Sequence, residues 1–433
     1  MPKIPESTEA ELGRAPRAVL AGIRDKSNRS VSADESMEEL ARLAQTMDYE
    51  PCATLTQERD APDSATYLGK GKVTELRDLV EREEADLLIV DGVLSPIQAR
   101  NLEDALEIPV MDRTELILRI FASRARTSEG KIQVDLARTR HALTRLSGFG
   151  VEMSNPGAGI GTRGPGEQKI EVDRRTIRER ISRLSKELEK VERVREEQRK
   201  QRKESGIPRI SLVGYTNAGK STLFNALTGE EAYADDKLFA TLDPWTRKWV
   251  LPSGETVLLV DTVGFIQGLP HELIAAFRAT LEESVDANVL VHVVDVSSPS
   301  WPSQMATVNE VLSDLGVEER PKLTCFNKVD KVHADDLDAA ERLYPKSTTI
   351  SALHETGLAE LAALVEAELA GKRETVSWHV PYAKWDMVFD LRRAGAVKEE
   401  RHDDNGAVVV CELSPEDIAK FTRRLGEKPT YHD

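Results

Sequence analysis

One octapeptide constrains this chain more than anything else in its 433 residues: GYTNAGKS, from Gly214 to Ser221, set between the apolar run ISLVG and the helical pattern STLFNALTG. A glycine-bracketed loop that leaves a strand and opens a helix is the setting a phosphate loop requires. Its backbone N–H groups and the helix N-terminus wrap phosphates, and a lysine, here Lys220, neutralises the β and γ charges. Ser221 offers its hydroxyl to Mg²⁺. The expected phosphate cradle is therefore Gly214, Tyr215, Thr216, Asn217, Ala218, Gly219, Lys220 and Ser221, in an α/β domain built on a parallel sheet.

Three further motifs follow at strand ends. Asp261, Thr262, Val263 and Gly264 close the run TVLLV, which places a carboxylate where it can hold Mg²⁺ through water and a glycine whose amide can meet a γ-phosphate. Asn327, Lys328, Val329 and Asp330 follow KLTCF. The Asp330 carboxylate can accept from both N1–H and the exocyclic amine of guanine, which adenine cannot supply, so the motif selects GTP and GDP over adenine nucleotides. Ser351, Ala352 and Leu353 fit a backbone contact to the guanine O6. Between the phosphate loop and Asp261, the stretch Phe239, Ala240, Thr241, Leu242, Asp243 to Thr246 contains two threonines able to reach Mg²⁺, and spacing does not choose between them. The position after Gly264, where the phosphoryl-transfer template has a water-orienting glutamine, is Phe265. Either intrinsic hydrolysis is slow until a partner supplies a group, or Phe265 is a packing residue and another side chain serves.

Around this centre the chain reads as four parts. Residues 1–112 alternate short apolar runs (AVLAGI, CATLT, DLLIVDG, IPVMD) with amphipathic stretches, the βαβα pattern of a small nucleotide-binding-like α/β domain. Ser32 and Glu35 have capping-box spacing, and Ser95 with Pro96 suits another helix start. Residues 113–205 form an antiparallel helical hairpin around a tip loop, Gly148 to Gly166, in which 7 of 19 residues are glycine. In its second helix Ile177, Ile181, Leu184, Leu188 and Val191 alternate spacings of four and three, a coiled-coil-like seam. Residues 206–372 are the nucleotide-binding domain, and 373–433 a small C-terminal α/β appendage.

Composition bears on partners. Net charge is −16, yet from Arg113 to Lys203 there are 23 Lys+Arg against 13 Asp+Glu. A basic segment inside an acidic protein is where a polyanion would bind. The three cysteines, Cys52, Cys325 and Cys411, lack any metal-site spacing. The chain has neither a signal-peptide core nor a run long enough to span a bilayer, which points to the cytoplasm.

GYTNAGKSTLFNALTG, LFATLDPWTR, DTVGFI, NKVD and SAL together resemble the HflX GTPases of the Obg-related group. The resemblance extends upstream through YLGKGKVTEL, DRTELILRIFASRARTSEGKIQVDLA and GIGTRGPGE, so it covers about Tyr67 to Leu369. It implies a P-loop GTPase fold, Thr241 as the switch ligand of Mg²⁺, a hydrophobic residue at 265 as a family trait, and catalytic parts for Lys220, Thr241 and Gly264. Trp245 and the sequence GEQKIE depart from the commoner family pattern, at the switch and at the start of the long helix. The resemblance also implies a role: binding the large ribosomal subunit and splitting or rescuing stalled ribosomes under stress, with the hairpin reaching toward the peptidyl-transferase region. Arg119, Arg124, Arg126, Lys131, Arg138, Arg140, Arg145 and Arg163 are the expected rRNA contacts.

The expectation is thus a monomer that hydrolyses GTP with Mg²⁺ and uses the nucleotide state to control its grip on the ribosome. Two alternatives belong to other classes: an interaction module, its nucleotide structural, for a protein or a protease complex at the membrane periphery; and a ribosome-assembly factor.

Overall fold

The structure, a computed structural model, describes residues 14–24, 33–147, 165–203, 207–229, 238–239, 244–267, 286–317, 320–333, 337, 340, 342–370, 374–394, 396–413 and 415–432. Three separate sheets organise them.

The first contains β1 (Arg17–Arg24), β2 (Glu50–Glu58), β3 (Leu87–Asp91) and β4 (Val110–Asp112), all parallel, in the order β2-β1-β3-β4. Its central strands are apolar on both faces, as parallel strands under helices must be. Val19, Ala21, Leu88 and Val90 face the core shared with α2 (Lys70–Arg82) and α3 (Pro96–Leu106). Ala18, Leu20, Leu87 and Ile89 face the core shared with α1 (Ala33–Thr46). Helix α3 starts as its sequence suggests: Ser95 and Gln98 form a capping box, with Pro96 in the first turn. The expected box at Ser32 lies outside the described residues.

The next helix departs from expectation. α4 (Arg113–Arg124) does not open the helical hairpin; it packs with α1 under the first sheet. Its sequence says why, since Leu116, Ile117, Leu118, Ile120 and Phe121 are all buried and leave no wide polar face for an exposed arm. The hairpin is instead α5 (Ser128–Ser147) against α6 (Pro165–Lys203). Arg180 bonds Asp135 at 2.7 Å while Arg174 reaches the Leu146 carbonyl at 3.0 Å, so the two run antiparallel. Of the seam residues only Leu184 is fully buried. The tip, 148–164, lies outside the described residues.

The second sheet has the order β10-β9-β8-β5-β7-β6. Strands β5 (Arg209–Gly214), β7 (Thr256–Asp261), β8 (Val289–Asp295), β9 (Lys322–Asn327) and β10 (Ser347–Thr349) are parallel. The edge strand β6 (Trp245–Val250), which the sequence reading did not find, pairs antiparallel with β7. Helices α7 (Lys220–Thr228), α8 (Trp301–Asp314) and α9 (Leu358–Ala370) complete the unit. The phosphate-loop, DTVG and NKVD motifs leave the C-terminal ends of β5, β7 and β9, and SAL follows β10; ligands of open α/β sheets bind at that edge.

The third sheet, β12-β13-β11-β14, is antiparallel. Its chain order is β11 (Glu374–Pro381), α10 (Asp386–Ala394), β12 (Ala396–His402), β13 (Gly406–Leu413), α11 (Pro415–Leu425), β14 (Thr430–His432). This is the split βαβ arrangement, with the core built on Trp378, Val409 and Phe421.

Candidate nucleotide site

The phosphate loop is shaped by close backbone approaches that only glycine permits. A Cβ on Gly214 would stand 2.3 Å from the Val293 carbonyl oxygen. Gly219 has φ 93° and a Cβ there would meet Asn327 Nδ2 at 2.2 Å. Lys220, buried at the first turn of α7, donates to the carbonyls of Gly214 at 3.0 Å and Tyr215 at 2.8 Å. Burial pushes its amine down to about 8, with Asp261 opposing the shift and Lys328 adding to it. The ammonium is thus held beside the loop in poor contact with water, where a phosphate would be its natural counter-charge.

Ser221 Oγ donates to Asp261 Oδ2 at 2.8 Å. Asp261 ends a buried strand, and the next residue, Thr262, pins that end by donating from Oγ1 to the Leu212 carbonyl at 2.6 Å. A hydroxyl and a carboxylate side by side form a hard oxygen donor pair, which suits Mg²⁺ rather than a softer metal. Gly264 lies over the loop: its Cβ would be 2.9 Å from Thr216 Cα and 3.1 Å from Lys220 Nζ.

On the base side, Asn327 braces two loops. Its Nδ2 donates to the Ala218 carbonyl at 2.8 Å and its Oδ1 accepts from Ala352 N–H at 2.9 Å. Lys328, at φ 65°, reaches the Asn217 carbonyl at 2.7 Å and Asp295 at 2.7 Å. Ser351 Oγ donates to Asp330 Oδ1 at 2.5 Å, which holds the Asp330 carboxyl below its usual range and so ionised and accepting. Val329 follows in a short 3₁₀ turn, and Leu353 is 70% exposed at the mouth. Asp295 was missed by the sequence reading. Its position at the end of β8, one strand from Lys328, was the available signal.

The switch residues divide. Ala240, Thr241, Leu242 and Asp243 lie outside the described residues, as does Arg163. Phe239 is buried with its ring 4.5 Å from that of Phe121, and Leu238 N–H donates to Thr46 Oγ1 at 3.2 Å. Thr246, the other candidate, belongs to the edge strand β6 opposite Val260. Phe265 is 1% exposed and belongs to the core formed with α1 and α4, so it is a packing residue. Its backbone pairs with the phosphate loop: Thr216 N–H donates to the Phe265 carbonyl at 2.7 Å and Phe265 N–H to the Gly214 carbonyl at 3.1 Å. Val263 shares that core.

A buried polar chain runs from this point into the first unit, and no local motif announced it. Tyr215 Oη donates to Glu39 Oε1 at 2.5 Å. Glu39 pairs with Arg113, which also donates to Asp91 at 2.8 Å, and Ser36 donates to the same carboxylate at 2.5 Å. Burial, then the Glu39 charge, pushes the Tyr215 hydroxyl above the ordinary phenol range, so it keeps its proton.

The basic residues are placed unequally. Arg119 and Arg145 both turn to Glu115 and are partly buried there. Lys131 and Arg138 are exposed on α5, and Arg140 is half-buried. Arg126 is exposed and Arg124 half-buried at the junction of α4 and α5.

Comparison with known proteins accords with this geometry. Three family profiles match in succession: one described as GTP-binding GTPase N-terminal over residues 34–122, one as GTP-binding GTPase middle region over 124–202, and one as 50S ribosome-binding GTPase over 209–328. The GTPase HflX of Caldanaerobacter subterraneus is 48% identical, with 92% of this chain and 91% of that one covered. The GTPase HflX of Escherichia coli is 41% identical over 92% of this chain and 94% of its own length. A GTP-binding protein from Sulfolobus solfataricus, solved in complex with GDP, overlays with a TM-score of 0.43 at 26% identity, covering 81% of this chain and 98% of that one. With identities above 40% along nine-tenths of its length, and phosphate and base motifs converging on one sheet edge, the chain belongs to the HflX family of GTPases.

Proposed function

We propose that this GTPase uses its nucleotide state to control binding to the large ribosomal subunit, and that it splits or rescues stalled ribosomes. The observation that carries the reading is the α5–α6 pair, a basic segment within an acidic chain with exposed cations such as Lys131 and Arg138. Phosphate-rich rRNA is the polyanion such a segment fits. The match of residues 209–328 to the profile described as 50S ribosome-binding GTPase supports the same partner.

In this reading Lys220 neutralises the β and γ phosphates, and Asp330 with Ser351 holds guanine by its N1–H and amine. Ser221 and Thr241 would hold Mg²⁺ directly and Asp261 through water; the ion would supply charge neutralisation for the γ-phosphate. Gly264 offers its amide to the γ-phosphate and moves when that group leaves. Phe265 brings no polar atom, so the water must be oriented by another side chain, by backbone or by a group from the partner.

The test is GTP turnover by the purified chain, alone and with large subunits, in wild type and in Lys131→Ala/Arg138→Ala. Stimulation of at least tenfold, reduced in the double variant and falling with salt, supports the reading. Equal co-sedimentation with large subunits in GDP and in a non-hydrolysable GTP analogue overturns it.

A further inference from the structure

We infer that the Tyr215 hydroxyl is a positioning residue for GTP hydrolysis, holding the backbone that follows Gly264 in register with the phosphate loop.

The segment Phe265–Gln267 runs alongside Gly214–Thr216 and is fixed to it at three points. Two are the backbone bonds between Thr216 and the Phe265 carbonyl and between Phe265 N–H and Gly214. The third is different in kind: Gln267 N–H donates to Tyr215 Oη at 2.9 Å. That hydroxyl in turn donates to Glu39, so its one proton is committed and its lone pair faces Gln267. The acceptor is itself fixed, because Glu39 is 6% exposed and paired with Arg113. A side chain from the second position of the phosphate loop therefore sets where the residues after Gly264 lie, and its own angle is set by a carboxylate 176 residues away.

The chemistry gives this weight. Phe265 cannot orient a water, so the attacking geometry depends on where the Gly264–Gln267 backbone sits. An unanchored backbone spreads over several geometries, and displacement of about 1 Å lowers rates by orders of magnitude. Tyr215 enters the phosphate cradle through its backbone, which Tyr215→Phe keeps, and its hydroxyl is engaged by Glu39 and Gln267, so that variant tests the hydroxyl alone.

The experiment is single-turnover GTP hydrolysis by the full chain, with KM for GTP and Kd for GDP measured in parallel. For Tyr215→Phe the expected result is a fall in kcat of about tenfold, with KM and Kd within twofold of wild type. Glu39→Ala is expected to behave the same way, and the double variant to be no slower than either single. Glu39→Gln keeps an accepting oxygen for the hydroxyl and is expected to recover most of the turnover lost in Glu39→Ala. A kcat that stays at the wild-type value or rises overturns the proposal. So does a loss of GDP affinity matching the loss of rate, or a Glu39→Gln variant as slow as Glu39→Ala, since either would mark the cluster as structural only.

Discussion

The two ends of the nucleotide site are built on different principles. At the base end every brace comes from within the second sheet: Asn327 ties the phosphate loop to Ala352, Lys328 ties Asn217 to Asp295, and Ser351 orients Asp330. At the phosphate end the loop and the residues after Gly264 lean on the first unit through Tyr215 and Glu39, Leu238 and Thr46, Phe239 and Phe121, and the buried Phe265. The proposed base end is thus local to one domain. The proposed phosphate end is shared between two, and anything that moves α1 or α4 reaches it.

The sharpest test of a self-contained base end is Asp330→Ala. Losing two charge-assisted bonds to guanine should weaken GTP and GDP binding by about 4 kcal/mol, measured by titration calorimetry, while thermal stability of the empty protein stays near wild type. Phe265→Ala attacks the other end. Removing a ring from the shared core should cost about 3 kcal/mol in denaturant unfolding. If the two units unfolded independently of each other in wild type, the comparison would break.

Gly264→Ala is expected to lower turnover by about 2 kcal/mol, or thirtyfold, because the new methyl group presses against Thr216 of the phosphate loop and shifts the backbone that follows Gly264. GDP affinity should change far less. A smaller effect comes from Lys220. Its amine, pushed down to about 8 by burial, is protonated below that pH and neutral above it in the empty site. Phosphate favours the charged form, so above pH 8 binding must take up a proton, and affinity should fall about tenfold (~1.4 kcal/mol) per pH unit until the bound form titrates. Calorimetry in buffers of different ionisation enthalpy would detect that proton. Smallest of all, Leu353→Ala at the exposed mouth should change stability by less than about 0.5 kcal/mol.

These contrasts also explain what could be read from the chain. The cradle from Gly214 to Ser221, Asp261 with Gly264, Asn327 to Asp330 and Ser351 to Leu353 are short runs at strand ends, so strand–loop–helix context sufficed to place them at one sheet edge. The α/β alternation of the first unit follows from apolar periodicity for the same reason, whereas the C-terminal stretch announced only its α/β class and not its split sheet. Other features were not legible because their partners are distant. Glu39 and Arg113 look like ordinary charges on amphipathic stretches until Tyr215 is placed against them. α4 reads in sequence as one helical stretch with α5 and so falls in the hairpin, whereas burial of Leu116, Ile117, Ile120 and Phe121 decides its place. β6, an edge strand with Arg247 and Lys248 turned outward, carries too few apolar residues to announce itself.

The shared core has a consequence for how the protein is made. Phe121 belongs to a unit completed early in synthesis, yet its ring partner Phe239 emerges more than a hundred residues later, and Phe265 later still. At synthesis rates of about 5–20 residues per second, the apolar flank of α1 and α4 waits some seconds for its cover. A nascent chain interrupted in that interval would carry an adhesive surface, so premature termination within the second domain should yield fragments that need a chaperone, whereas loss of the last sixty residues should not.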